Sequence, residues 1–125
     1  MKKLEKLIES LGSGEWGDKI EAAGKLLEEG EDACDILVLS LASENDDIRY
    51  WSLKILGELN SGKYSFYAEP MLEDQAWFVR SEAAIILADT GKSQYIPFIE
   101  KALEVEDNEE TMGYFKKAID SLKKQ

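Results

Sequence analysis

The sequence predicts an all-α, single-domain solenoid of about four helix pairs, eight helices in all, spanning residues 1–125. Three observations carry the prediction. Apolar residues recur at helical spacing: Ile48, Trp51, Ser52, Ile55, Leu56 and Leu59 follow the i, i+3, i+4, i+7, i+8, i+11 template of one buried helix face. Glycine-bearing breakers punctuate the chain at Gly12-Ser13-Gly14, Glu29-Gly30, Asn60-Ser61-Gly62 and Thr90-Gly91, and no run of alternating β-branched residues lies between them. The chain also matches itself. Val79 to Leu87 overlays Ile48 to Leu56 at a shift of 31 and Asp18 to Leu26 at a shift of 61. A period near 30 with two helices per period is the mark of units that bury their apolar faces only against their neighbours.

Each element follows in order. The N-terminal stretch from Met1 to Glu9 reads as an amphipathic helix, because Glu5, Lys6 and Glu9 interrupt what would have to be the apolar centre of a signal peptide. Leu7 and Leu11 lie over Leu37 and Leu41, which makes this a lone second helix at the start of the array. The Asp18–Leu26 helix is a first helix. Ile36, Leu37, Ser40 and Leu41 mark its second helix and lie over Tyr67, Ala68, Met71 and Leu72, then over Phe98, Ile99, Ala102 and Leu103. First helices over about 46–59 and around 79–87 separate them. The last helix, about 109–123, matches poorly because the acidic run from Glu104 to Glu110 lengthens its turn and the Val-Arg pair is missing. Terminal repeats are atypical because one face must meet water.

Asp47-Ile48-Arg49 with Ser52, Leu56 and Gly57, and Val79-Arg80 with Ala83-Ala84, Leu87 and Gly91, carry an order of hydrophobic residue, Arg, small residues and Leu that resembles the HEAT-like repeat family, including the short repeats of phycobilisome-lyase-type proteins. Asp18-Lys19, Ala22-Ala23, Leu26 and Gly30 form a degraded copy. The resemblance spans about residues 4–122 and implies a protein-binding solenoid whose second helices line the concave surface. It also implies a ladder in which Arg49 and Arg80, the only two arginines, pair with acidic residues of neighbouring turns. Asp46 or Asp47 are then expected to meet Arg80, and Glu15 or Asp18 to meet Arg49, since guanidinium binds carboxylates bidentately and tolerates partial burial.

Composition limits the function. The chain holds 26 Asp and Glu against 15 Lys and Arg, a net charge of −11, with one Cys and no His. No His means no Ser-His or Cys-His pair and no His-bearing zinc site, and the acidic clusters lack the spacing of a calcium loop, so no catalytic residue, metal or cofactor is assigned. Cys34 is read as a packing residue, and a single Cys fits the reducing cytoplasm. The longest apolar stretch, Ile36 to Leu39 with Leu41 and Ala42, is far too short to span a bilayer. Negative charge disfavours nucleic acid and anionic membranes and favours a protein partner, basic if charge complementarity decides.

The expected function is therefore a non-catalytic interaction module, a scaffold or adaptor. The alternatives are a small acidic inhibitor or immunity-type protein that neutralises a basic partner, and an accessory subunit of a tetrapyrrole lyase. Candidate binding residues are those that break the repeat. Val38 and Leu39 stand where later units have Glu69-Pro70 and Glu100-Lys101, so with Phe66 and Pro70 they form a candidate apolar strip. Trp51 lies over Glu21 and Glu82, positions expected to face solvent, yet three residues from Ile48 and four from Ile55 it is placed to fold back onto the core edge; if exposed, it is with Tyr50 the second candidate.

Overall fold

A computed structural model describes residues 2–125. Helix forms where the apolar periodicity places it: α1 Lys2–Leu11, α2 Trp16–Glu29, α3 Glu31–Ser40, α4 Asp46–Ala68, α5 Trp77–Asp89, α6 Ile96–Val105 and α7 Glu109–Lys123, with short 3-10 segments at Glu69–Glu73 and Ser93–Tyr95. Among the described residues there is no strand. Seven helical spans thus stand where eight helices are expected. The difference lies in α4, which runs on through Asn60, a non-helical residue (φ −168°, ψ 88°) at the expected breaker.

Two compact units divide the chain, Met1–Leu59 and Asn60–Gln125. In the first, α1 packs on α2 and α3. Leu4, Ile8 and Leu11 of α1 are buried, as are Ala22 and Leu26 of α2 and Ala33 and Leu37 of α3. In the second, α5 and α6 pack on α7 and on the Glu69–Glu73 segment. Val79, Ala83 and Leu87 of α5, Ile99 of α6 and Phe115 of α7 are fully buried there. The repeat alignment is visible in burial: Leu37, Ala68 and Ile99, spaced 31 residues apart, are each 0% exposed. Turns close at two of the expected glycines. Gly30 (φ +58°) and Gly91 (φ +69°) adopt the left-handed region that other residues avoid, and the N–H of Gly30 satisfies the carbonyls of Leu26 and Leu27 at the end of α2.

One hydrogen-bond geometry recurs at the start of α2, α4, α5 and α7. Two residues before the helix-capping position, a side-chain oxygen accepts the backbone N–H of the capping residue. Ser13 Oγ accepts from Glu15, Ser43 Oγ from Asn45, Asp74 Oδ2 from Ala76 and Glu106 Oε2 from Asn108, at 2.9–3.1 Å. The acceptors lie 30, 31 and 32 residues apart. Each bond fixes the chain's entry into a helix whose first N–H groups would otherwise lack partners. At α4 and α7 the capping residue is Asn, whose side chain accepts from Ile48 N–H and Thr111 N–H respectively.

Candidate functional site

Four residues after each capping position stands Lys19, Arg49, Arg80 or Met112, and the three cations all reach carboxylates. Arg80 makes the strongest of these ties. Its Nε and Nη2 donate to Oε1 and Oε2 of Glu106 at 2.8 and 2.7 Å, while Nη1 donates to the carbonyl of Asp74 at 2.9 Å. The Glu106 side chain is 3% exposed and that of Arg80 16%. Burial alone would push the Glu106 carboxyl up, but hydrogen bonds from Arg80 and from the N–H groups of Asn108 and Asp107, together with the Arg80 charge, hold it below its ordinary value. The hydrogen bond to Glu106 likewise raises Arg80.

Lys19 does the equivalent work in the first unit. Its Nζ donates to Asp47 Oδ2 at 2.8 Å and to the carbonyl of Leu11 at 3.1 Å. Arg49 donates Nη1 to the carbonyl of Ser43 and Nη2 to Asp46 Oδ1 within its own first turn. Arg49, Arg80, Asp46 and Asp47 all take part in ion pairs. Asp46 serves Arg49, Asp47 serves Lys19, and Arg80 is served by Glu106. Lys19 and Arg80 thus take their carboxylate from the turn that follows them in the chain, while each also donates to a carbonyl before its own helix. The lengthened turn after α6 puts Glu106 two residues before the cap of α7, where one carboxylate can both receive Arg80 and bond the N–H of Asn108.

The aromatic candidates separate. Trp51 is 7% exposed, in keeping with a side chain folded back onto the core edge and not with an exposed anchor; Glu82 at the equivalent place, expected to face solvent, is also 7% exposed. The Trp51 ring lies 5.7 Å from that of Trp16 and 5.4 Å from that of Tyr50, so its indole is covered by neighbours. Trp16 is the exposed partner, at 67%. Tyr50 is half-buried. Cys34 is buried, its Sγ near the Gly30 carbonyl, as a packing residue would be.

The apolar candidates stay at the surface with one exception. Leu39 and Phe66 are each 75% exposed and Pro70 is exposed, whereas Val38 is half-buried. Phe66 packs edge-on against Tyr67 at 5.5 Å. In the second unit a further site emerges that the sequence reading does not single out. Phe98, Ala102 and Val105 follow i, i+4, i+7 and so share one face of α6. With Leu72 they line a groove of about 360 Å³ against the Glu69–Glu73 segment, rimmed by Glu69, Glu73 and Lys101. A second cavity of about 300 Å³ shares Leu72, Glu73, Ala102 and Val105 and is lined further by Asp74, Arg80, Glu106 and Asp107. Val105 is 84% exposed and Phe98 47%. A signal for Val105 lies in the sequence: it is the lone apolar residue in an acidic run.

Among the described residues no three His, Cys, Asp or Glu side chains come together as metal ligands, and no helix is long and apolar enough to cross a membrane. Compared with known proteins, the chain matches no protein-family model and no curated protein sequence.

Proposed function

We propose that this chain is a non-catalytic protein-interaction module of the cytoplasm, built as a HEAT-like α-solenoid that binds its partner through its second helices. The reading of the fold is supported by the turn geometry that recurs at intervals of 30, 31 and 32 residues, and by a cation at the same place after three of the four capping positions. The single observation that carries the function is the exposure of large apolar side chains on second helices. Leu39 at 75%, Phe66 at 75% and Val105 at 84% stand in water while their helix neighbours Leu37, Ala68 and Ile99 are wholly buried. Leaving such side chains exposed forgoes roughly 1.5–3 kcal/mol of burial each, which a partner would recover.

The test is affinity capture on the immobilised full chain, with partners identified by mass spectrometry and compared against Leu39→Glu and Phe66→Glu. Both positions are exposed, so neither change should unfold the protein. A partner retained by the parent chain and lost from either variant supports the reading. The same proteins retained equally by all three would remove it. Repeating the wash at high salt separates this reading from that of an acidic inhibitor, whose binding should collapse as its charges are screened.

A further inference from the structure

We infer that the groove between the Glu69–Glu73 segment and α6 is a receptor for a basic amphipathic segment, an apolar anchor flanked by Lys or Arg, donated by another protein. The inference rests on the interaction-module reading and adds the class of partner and its seat.

The floor selects the anchor. Leu72, Phe98, Ala102 and Val105 present only hydrocarbon and ring edges, and α6 turns its Phe98, Ala102, Val105 face to the opening. The groove volume, about 360 Å³, lies at the small end of the range for sites that enclose a ligand, so it suits one or two large side chains better than a folded surface. Phe98 and Val105, both in its lining, are 47% and 84% exposed.

The rim selects the flanks. The two cavities, which share Leu72, Glu73, Ala102 and Val105, are lined by Glu69, Glu73, Asp74, Glu106 and Asp107 against Lys101 and Arg80, five carboxylates to two cations. Arg80 and Glu106 are committed to each other in a bidentate pair, and Asp74 Oδ2 already accepts the N–H of Ala76. Glu69, Glu73 and Asp107 therefore face the opening with Lys101 as the one cation not held by Glu106. An acidic or neutral segment would place like charges or unpaired groups against these carboxylates, whereas Lys or Arg beside an apolar anchor pairs with them. The same rim repels an anionic lipid surface. It also disfavours a second copy of this chain, whose net charge is −11.

The experiment uses the intact chain and a fluorescein-labelled amphipathic peptide of Leu and Lys, with its Leu-Glu counterpart as control. Fluorescence polarisation is measured for the parent, for Val105→Glu and for Glu73→Lys. Both substitutions fall on exposed side chains, and circular dichroism confirms that the helices persist. Saturable binding of the Leu-Lys peptide is expected, weakened about tenfold or more by each substitution and weakened again as salt rises from about 0.05 to about 0.5 M. Leu39→Glu should leave this affinity unchanged. Binding that ignores Val105→Glu, equal binding of the Leu-Glu peptide, or no binding at all overturns the groove. A concentration-dependent dimer that excludes the peptide overturns it in favour of self-association. If the peptide fails while a native partner is still captured through Leu39 or Phe66, only the groove falls and the interaction reading stands. If both fail, the two fall together.

Discussion

Lys19 and Arg80 occupy the same place in their helices, four residues past the cap, and each ties its helix to a later turn of the chain. Their acceptors differ. Arg80 meets Glu106 through two parallel hydrogen bonds, and that carboxylate is 3% exposed. Lys19 meets Asp47 through one, and Asp47 is 48% exposed. Register decides that a cation can reach the next turn, whereas burial of the acceptor decides what the reach contributes. A buried pair contributes little over an apolar substitute but is costly to break singly, because one charge is left in a poorly solvated place. An exposed pair is cheap to lose. The Glu106 carboxylate also bonds the N–H of Asn108, so in the second unit one group serves both the ion pair and the turn.

That contrast can be broken by substitution. Arg80→Ala should lower stability by about 3 kcal/mol, the largest single effect, since it strands Glu106. A urea melt showing a loss below about 1 kcal/mol would mean that Glu106 is solvated on demand and the two ties are equivalent. Glu106→Gln should cost about 2 kcal/mol, because one amide oxygen replaces two charged acceptors. The pH dependence has a definite sign. Since the folded carboxyl titrates below its ordinary value of 4.5, its contribution is complete above that pH and disappears as pH falls through the lower folded value. Melts from neutral to acid pH should lose less stability in Glu106→Gln than in the parent.

Smaller effects sharpen the comparison in the first unit. Lys19→Met keeps the packed stem and removes the charge, so a loss of about 1 kcal/mol is expected, mostly from the Leu11 carbonyl left without its donor. A loss matching Arg80→Ala would show that acceptor exposure is irrelevant. Glu15 caps α2 in extended geometry (φ −96°, ψ 122°) without a side-chain cap bond, unlike Asn108 on α7. Glu15→Asn should add about 0.5 kcal/mol in thermal denaturation. Smallest of all is Ser52, whose Oγ is buried with no hydrogen-bond partner at a position where the other units have Ala22 and Ala83. Ser52→Ala should leave stability unchanged or raise it by up to about 1 kcal/mol, and a clear loss would reveal a bond to that hydroxyl.

Much of the helical framework was legible because its signals are local. Leu37, Ala68 and Ile99 are buried where the repeat overlay puts them, and Gly30 and Gly91 take positive φ where the overlay pairs them. The site was legible only in part. Leu39, Phe66 and Pro70 are exposed and Trp51 is covered, as a residue folded back onto the core edge would be, whereas nothing in the repeat marks Phe98 and Val105. Phe98 sits at a position that the overlay equates with Ile36 and Tyr67, apolar residues that keep the repeat and so do not stand out as breaks in it.

The sequence by itself determined where most helices start, stop and carry their cations, because caps, glycine turns and i, i+4 spacing act within a few residues; the exception is α4, which runs on through the expected break at Asn60. It determined the acidic balance as well. Only the tertiary structure decided which carboxylate each cation takes, since Lys19 and Asp47 lie 28 residues apart and Arg80 and Glu106 lie 26 apart. It also decided which apolar side chains meet water. Exposure is set by the neighbours that fold across a residue, and Trp51 is hidden by Trp16, 35 positions earlier, while nothing closes over Val105.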